Sequence, residues 1–247
     1  MKLLFDVFIA GSTGYLGRPL GERLVARGHR VYALARRGSE RRIPEGSRVV
    51  VGNALDAASY APLVPRGCVF VHLVGVPHPS PAKAAEFLSI DLPSVRASVE
   101  AAVRARARRF VYVSVAHPAP LMHSYVAARQ AGEAILRDSG LTATVLRPWY
   151  VLGPGHRWPL ALLPLYAMAR LIPGWRQTAQ RLGLVTHRQM LAALTEAVES
   201  TNAGTRILDV PAIRNAGGGR STTPHAVTVN SLERDANSES DRRRRGA

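Results

Sequence analysis

The chain has 247 residues, of which 47% are hydrophobic and 20% are charged, so it is long enough to bury the core of one sizeable domain. Its one cysteine, Cys68, excludes an internal disulfide bond and a cysteine-cluster metal site, and we predict no metal site. The formal net charge is +16, yet Lys2 and Lys83 are the only lysines, and the arginines accompany no helix-turn-helix, zinc-finger or RNP-like pattern. We therefore expect no specific nucleic-acid partner.

The first apolar stretch of the chain does not have the pattern of a secretory leader. Asp6 interrupts it, and a glycine-rich segment follows where a cleavage site would be needed. The unpaired thiol of Cys68 agrees with a reducing compartment. We therefore expect a cytoplasmic location.

Apolar, β-rich runs alternate with helix-type patterns over the first 150 residues. The runs predict strands at residues 3–10, 30–35, 48–52, 68–75, 109–114 and 142–147. The spacing between them predicts helices at residues 15–27, 57–63, 82–106 and 124–139. This alternation predicts a doubly wound α/β fold, with a parallel sheet, right-handed crossovers and helices on both faces.

Beyond Pro148 the pattern changes to a small, mainly helical portion. Residues 159–172 are apolar and of helix length, but they are interrupted by Pro164 and Arg170, and a bilayer span needs about 20 apolar residues. Three interpretations of this segment stay open. In decreasing order of preference, it is a core or dimer helix, one wall of an apolar substrate pocket, or a helix on a membrane surface. A helix at 188–199 and a strand at 206–210 follow.

The end of the chain is polar, rich in glycine and serine, and closes with four arginines before its last two residues. It lacks the apolar periodicity that would offset the entropy of ordering it. We predict one domain over residues 1–213, with a small substrate-side portion from about residue 148, and a disordered arginine-rich tail over residues 214–247.

The strongest motif follows the first predicted strand and opens the first predicted helix. It reads Gly11-Ser12-Thr13-Gly14-Tyr15-Leu16-Gly17. Glycines allow a tight turn whose backbone approaches a pyrophosphate closely, and the N–H groups at the start of the helix then face the phosphates. This context predicts a Rossmann-type dinucleotide site, and a glycine-rich turn without a ligand is the weaker interpretation.

The end of the second predicted strand indicates which dinucleotide is bound. NAD-selective sites carry an acidic residue there, which holds the ribose 2′-hydroxyl. This chain has Arg36 and Arg37 instead, and guanidinium groups suit a 2′-phosphate. NADP(H) is therefore favoured, with NAD(H) as the alternative should both arginines simply face water.

Two further strand ends complete the predicted cofactor site. Asn53, Ala54 and Leu55 follow the third strand and are expected to lie against the adenine ring, whereas Asp56 is better explained as a helix N-cap. At the end of the fourth strand, Val74 and Gly75 are expected to bring their backbone close to the cofactor.

The chain resembles the extended and atypical short-chain dehydrogenase/reductase superfamily, in particular its NAD(P)H-binding, NmrA-like and epimerase/dehydratase-like members. The resemblance spans roughly residues 5–212 and rests on the stretches IAGSTGYLG, RFVYVSVA, SYVAARQAGEAILRDSGL and TVLRPWYVLGPG. In relatives, the loop that holds Pro148 in this chain lies beside the nicotinamide and begins the substrate-binding part.

The resemblance also implies a catalytic set. In catalytic relatives a serine positions the substrate, a tyrosine transfers the proton, and a lysine four residues later lowers the tyrosine pKa and holds the nicotinamide ribose. The matching positions here are Ser114, Tyr125 and Arg129, so arginine stands where the family has lysine. Arginine does not release a proton and cannot join a proton relay, so these residues are either catalytic or only surface and cofactor contacts.

We expect an NADPH-dependent oxidoreductase that reduces a small apolar carbonyl or sugar-like substrate. Two alternatives stay open: a non-catalytic NAD(P)H-binding redox sensor or accessory subunit of a larger complex, and an NAD-dependent epimerase or dehydratase. The expected partner is a small-molecule substrate. The apolar segment at 159–172 is also compatible with a homo-oligomer, a protein partner or contact with a membrane surface.

Overall fold

The fold is seen in a computed structural model that describes residues 3–76, 80–117, 122–153 and 183–216. The apolar segment at 159–172 and the tail from residue 217 onward lie outside these residues. Within the described ranges, no helix has the length and apolar character needed to cross a membrane.

In the described residues the chain forms nine strands. They are β1 (Asp6–Ala10), β2 (Arg30–Ala35), β3 (Arg48–Val51), β4 (Val69–His72), β5 (Arg109–Val113), β6 (Ala143–Leu146), β7 (Tyr150–Leu152), β8 (Leu184–Thr186) and β9 (Arg206–Leu208). Seven form one parallel sheet in the order β3-β2-β1-β4-β5-β6-β9, and β7 pairs with β8 in a separate small parallel sheet. The order in which successive strands are added to the sheet therefore reverses between β1 and β4, which confirms the Rossmann-type, doubly wound fold.

Helices cover both faces of the large sheet. They are α1 (Gly17–Ala26), α2 (Leu92–Arg104), α3 (His123–Asp138), α4 (His187–Glu199) and α5 (Val210–Asn215). The apolar faces of α2 and α3 pack on one side of the sheet, and those of α1, α4 and α5 pack on the other. This two-sided burial explains why the strands read as continuous apolar runs rather than as alternating patterns.

A row of phenylalanines organises the core on the α2–α3 side. Phe8, Phe70 and Phe110 occupy matching register positions on β1, β4 and β5, and all three are fully buried. Neighbouring ring centroids lie 4.9 and 5.2 Å apart. Burial of each phenylalanine contributes about 1.5–3 kcal/mol. This row therefore stabilises the packing of β1, β4 and β5 where the strand order reverses.

Helix α4 begins at a capping box built by the residues around its start. The hydroxyl of Thr186 accepts a hydrogen bond from the Gln189 backbone N–H (3.2 Å), and the Gln189 side chain accepts one from the Thr186 backbone N–H (2.9 Å). These bonds satisfy two donors that a helix start would otherwise leave unpaired. They fix the position of His187, the first residue of the helix.

Two predicted helices differ from the structure, and proline explains both. The segment at 57–63 forms two short 3₁₀ turns, Ala57–Ser59 and Ala61–Leu63, because Pro62 lacks the N–H that a continuous helix needs. The predicted helix at 82–106 instead begins with single turns and a π-helical turn at Phe87–Asp91 before α2, and Pro93 at the start of α2 again removes a donor.

Three short elements were missing from the sequence prediction: β7, β8 and α5. The helix α5 runs to Asn215, two residues beyond the predicted domain boundary at 213. These elements carry too few apolar positions for a period to be recognised. The strand predicted at 206–210 is β9 and ends at Leu208, because Asp209 caps the start of α5 at Val210.

Candidate functional site

The glycine-rich turn lies at the carboxyl end of β1, where the strand order reverses. In open α/β sheets this crevice is where ligands bind. Within the described residues, no side chain caps the start of α1. In the first turn of this ten-residue helix, the Arg18 N–H donates to the Gly14 carbonyl oxygen at 3.1 Å and Pro19 has no N–H, which leaves the Gly17 N–H at the helix start to an anion.

The backbone of the turn requires glycine at position 11. Gly11 has φ +90°, and a Cβ there would lie 2.8 Å from the carbonyl carbon of Leu73. The Gly14 N–H donates to the Gly11 carbonyl oxygen at 3.1 Å, which closes the turn. A Cβ at Gly17 would collide with that same carbonyl oxygen. The three glycines thus bring the turn, β4 and α1 into direct contact.

The side chains of the turn hold it in place. The Ser12 hydroxyl is completely buried and donates to the Leu34 carbonyl oxygen at 2.7 Å, so it anchors the turn to β2. The guanidinium of Arg42 reaches the Thr13 carbonyl oxygen at 3.4 Å. Leu16 packs partly buried against the α1–α4 core.

Tyr15 connects the turn to the substrate-side portion. Its ring centroid lies 4.6 Å from that of His187, and His187 Nε2 lies 3.1 Å from the Tyr15 carbonyl oxygen. A Cβ at Gly153 would collide with the Tyr15 hydroxyl. Gly153, directly after β7, and His187, at the start of α4, therefore both contact the dinucleotide turn through Tyr15.

Four arginines surround the carboxyl end of β2. Arg36 and Arg37 are exposed just after the strand, and Arg41 and Arg42 are exposed on the 3₁₀ turn that follows. The Ser39 N–H donates to the Arg36 carbonyl oxygen at 2.9 Å, which folds this segment back toward the glycine turn. Residues 36–42 contain one acid, Glu40, beside these four arginines.

The end of β3 presents the residues expected against adenine. Asn53 Oδ1 accepts from the Leu55 N–H at 3.1 Å, which forms an Asx turn and leaves Leu55 40% exposed. Ala54 packs against the α2–α3 core. Asp56 Oδ1 accepts from the Ala58 N–H at 3.0 Å, so Asp56 is an N-cap, as favoured, of a 3₁₀ turn.

Tyr125 and Arg129 lie next to each other on α3, as their spacing of four residues predicts. The Arg129 guanidinium carbon lies 5.2 Å from the centroid of the Tyr125 ring, and that ring is half-buried against Phe87, 5.0 Å away. Arg129 itself is 6% exposed. Its Nη1 donates to the Val113 carbonyl oxygen at 3.0 Å, and its Nη2 lies 2.6 Å from Asp91 Oδ1.

The Asp91–Arg129 pair is buried, and its charges depend on each other. Burial raises the pKa of the Asp91 carboxyl, while Arg129 and the Val76 N–H act in the opposite direction. Burial opposes the charge of Arg129, but Tyr125, Tyr112 and Asp91 outweigh it and raise its pKa. Arg129 therefore stays a cation that is directed into the protein.

Ser114 belongs to a second buried network. It is 2% exposed and donates to Glu133 Oε1 at 2.5 Å. Arg147 pairs with both carboxylate oxygens of Glu133, with its Nε at 3.0 Å from Oε1, and His117 Nε2 lies 3.4 Å away. Burial alone would raise the pKa of Glu133, but His117, Arg147 and Ser114 lower it to about 2.

Pro148 lies buried where the chain leaves β6. Its carbonyl oxygen accepts from the Ala116 N–H at 2.9 Å, and the Ser114 N–H donates to the Leu146 carbonyl oxygen at 2.8 Å. The segments after β5 and β6 therefore run side by side at the carboxyl edge, where the substrate side is expected.

Four residues of this region were not singled out from the sequence: Arg42, Asp91, Glu133 and His187. Glu133 could have been found, because it lies four residues beyond Arg129 on the same face of α3. Arg42, Asp91 and His187 gave no such signal, since their contacts are 29, 38 and 172 residues away in the chain.

The fold and the turn first define a class: a dinucleotide-binding protein of the Rossmann type. The chain belongs to the NAD(P)H-binding family, whose sequence model matches residues 11–156. This confirms the resemblance to the short-chain dehydrogenase/reductase superfamily.

Curated relatives and solved structures agree with this family. The chain is 32% identical to "Ceramide reductase" of Caulobacter vibrioides over 177 residues, 70% of this chain and 55% of that protein. It is 35% identical to "3-diazoavenalumate denitrifying reductase" of a Streptomyces species over 172 residues, 67% of this chain and 51% of that protein. The chain thus spans about half the length of these relatives.

A solved short-chain dehydrogenase/reductase superfamily protein from Agrobacterium tumefaciens, with bound NAD, shares the fold. It has a TM-score of 0.60 and 19% identity, and the match covers 83% of this chain and 77% of that one.

Proposed function

We propose that this chain is an NADPH-dependent reductase that acts on a small apolar carbonyl or sugar-like substrate. The observation that carries the proposal is the uncapped start of α1 behind the glycine turn, flanked by the exposed arginines after β2. Both relatives described above are named reductases, which supports reduction over the other reactions of the superfamily.

The preference for NADPH follows from charge. A 2′-phosphate carries a negative charge that the ribose hydroxyl of NAD lacks, and Arg36 and Arg37 stand where it would lie. No acidic residue lies in β2 or directly after it, and Glu40 is the one acid of residues 36–42. Arg42, which contacts the Thr13 carbonyl oxygen, adds positive charge beside the phosphates.

In this proposal, Tyr125, Arg129 and Ser114 have separate roles in the reaction. NADPH, when bound, supplies the hydride. The Tyr125 hydroxyl donates the proton to the substrate oxygen, and the Arg129 cation beside its ring favours the tyrosinate that results. Ser114, held by Glu133, shapes the substrate side, which residues from about 148 onward complete.

Cofactor titration tests the first half of the proposal. Binding of NADPH and NADH is measured by fluorescence for the wild type, for the double variant Arg36→Ala/Arg37→Ala, and for the control Arg66→Ala/Arg137→Ala, which removes the same charge from exposed positions elsewhere. Loss of two charge-assisted contacts should weaken NADPH binding about 10- to 100-fold and leave NADH binding unchanged, while the control matches the wild type. Equal affinity of the wild type for both nucleotides would reject the NADPH preference.

Turnover tests the second half. Tyr125→Phe removes one oxygen from a ring that is packed against Phe87, so the variant should fold and bind NADPH like the wild type while losing NADPH oxidation with carbonyl substrates. Phe87→Leu serves as a control for the packing of the ring. Unchanged turnover in Tyr125→Phe would remove this residue from the mechanism.

A specific observation favours a second candidate, a non-catalytic NAD(P)H-binding sensor or accessory subunit. The polar groups of Ser114 and Arg129 are both committed to buried carboxylates. This candidate predicts nucleotide binding without turnover of any carbonyl and a stable protein partner on affinity purification. An NAD-dependent epimerase or dehydratase would instead bind NADH as tightly as NADPH and retain the nucleotide through purification.

A further inference from the structure

The segment from Leu73 to Val76 lies between the dinucleotide turn and helix α3. At one end, the Leu73 N–H donates to the Ala10 carbonyl oxygen at 2.8 Å, and the Leu73 carbonyl oxygen and the Val74 nitrogen lie 2.9 Å from where a Cβ of Gly11 would be. At the other end, the Val76 N–H donates to Asp91 Oδ2 at 3.1 Å. The segment is therefore in contact with the turn and with the buried acid.

Arg129 completes this second attachment. Its Nη2 holds Asp91 Oδ1 at 2.6 Å, so the two oxygens of Asp91 are divided between the arginine and the Val76 N–H. Its Nη1 holds the Val113 carbonyl oxygen at 3.0 Å. One guanidinium group thus connects α3, the end of β5 and, through Asp91, the segment after β4.

Gly75 leaves the space in which this group lies. A Cβ at Gly75 would collide with Nη2 of Arg129 and would lie 3.2 Å from Asp91 Oδ1. The backbone of the segment therefore rests directly on the ion pair. Any displacement of the guanidinium leaves the segment without its support on that side.

We propose that Asp91 and Arg129 are a positioning pair, which sets the place of the Leu73–Val76 segment and thereby of the dinucleotide turn that rests on it. The proposal depends on the proposed function only in that the ligand of the turn is a nicotinamide dinucleotide. In this role Arg129 is not a substitute for a relay lysine. It acts through the backbone of the segment and not through a proton.

Lysine cannot perform this task, and that makes the proposal testable. An ammonium group is a single point charge, whereas two separate nitrogens of the planar guanidinium contact Asp91 Oδ1, as an ion pair, and the Val113 carbonyl oxygen, as a hydrogen bond. If Arg129 served a proton relay, Arg129→Lys would be conservative or favourable. If Arg129 positions the segment, the same substitution loosens it while the charge is kept.

The first measurement is hydrogen exchange of the Val76 amide, followed by NMR in the protein without nucleotide. Arg129→Lys and Asp91→Asn are compared with the wild type, and Arg137→Lys, an exposed arginine on the same helix, is the matched control. We expect exchange at Val76 to accelerate at least about tenfold in both variants and to stay unchanged in the control. The double variant Asp91→Asn/Arg129→Gln, which leaves two neutral amides, should exchange more slowly than Asp91→Asn alone, since no unpaired charge remains.

The second measurement is NADPH affinity of the same variants. We expect Arg129→Lys to weaken binding about 5- to 20-fold, with no change in Arg137→Lys. Unchanged Val76 exchange in Arg129→Lys would overturn the positioning role, and faster exchange with unchanged affinity would overturn its link to the turn. A wild type that binds neither NADPH nor NADH would defeat the proposed function instead, and the exchange comparison, made without nucleotide, would still decide the role of the pair.

Discussion

Replacement of Glu133 by glutamine should cost a large part of the stability of this protein. The Glu133 side chain is 7% exposed and accepts hydrogen bonds from Ser114 and Arg147. Glutamine has the same size, but it carries no charge and presents a donor in place of one acceptor. Arg147, 22% exposed, would keep its charge without a carboxylate partner.

The magnitude follows from the carboxyl pKa, which falls from 4.5 to about 2 in the folded protein. At about 1.4 kcal/mol for each tenfold change in acidity, the ionised network contributes about 3 kcal/mol, within the range of about 3–5 kcal/mol for breaking a buried pair. Because the folded pKa lies below the unfolded one, this contribution is complete above about pH 5 and is lost as the pH falls toward 2. At pH 3 about 1.4 kcal/mol should remain.

Urea unfolding of the wild type and of Glu133→Gln, at steps from pH 7 to pH 3, measures this difference. Glu22→Gln is the control, because Glu22 pairs with Arg18 on the surface of α1, where the two side chains are 52% and 60% exposed, and its loss should cost less than about 0.5 kcal/mol. A Glu133→Gln variant as stable as the control variant at pH 7 would refute the argument. If the difference in unfolding free energy between the wild type and Glu133→Gln stays constant down to pH 3, the charge of Glu133 does not contribute to the stability of the network.

Two further predictions concern buried titratable groups of the core. Burial, and to a lesser degree the charge of Arg129, lower the pKa of His72 to about 3. Because the unfolded histidine gains its proton near pH 6.5 and the folded one only near pH 3, the folded protein loses stability as the pH falls between these values. The stability of His72→Phe should therefore depend less steeply on pH in this range, and an unchanged dependence in urea titrations would contradict this. Burial raises the pKa of the Cys68 thiol to about 12. An aromatic disulfide reagent at pH 8 should therefore label Cys68 only in denaturant. Rapid labelling of the native protein would show that this part of the core opens.

The parts of this molecule that could be predicted from the sequence are those fixed by near neighbours in the chain. The turn from Gly11 to Gly17 is recognisable because each glycine serves a contact within the turn or with the next strand along the sheet. The central strands β1, β4, β5 and β6 are recognisable because both of their faces are buried, so their residues are mostly apolar. Tyr125 and Arg129 meet because helical spacing alone brings them together.

The parts that could not be predicted depend on partners far away in the chain. Asp91 stands in a segment predicted to be an ordinary amphipathic helix, where an acid normally faces solvent. It becomes a buried acid because the π-helical turn at Phe87–Asp91 and the position of α3 direct it toward Arg129, 38 residues later. Likewise, nothing local to Ser114 indicates that its hydroxyl is bound by Glu133 rather than left for a substrate.

The two buried carboxylates explain how α3 presents Tyr125. Arg129 ties the helix to the end of β5 and to Asp91, and Glu133, one turn further on, ties it to Ser114 and to Arg147 at the end of β6. A helix held at two successive turns against two neighbouring strand ends cannot slide or rotate without breaking a buried ion pair. Tyr125 lies one turn before the first of these attachments, with its ring beside Arg129 and Phe87, so the same attachments restrain its position. Arginine in place of the family's lysine is therefore compatible with proton donation by Tyr125, because what the helix supplies at position 129 is position and charge, and neither requires a group that releases a proton.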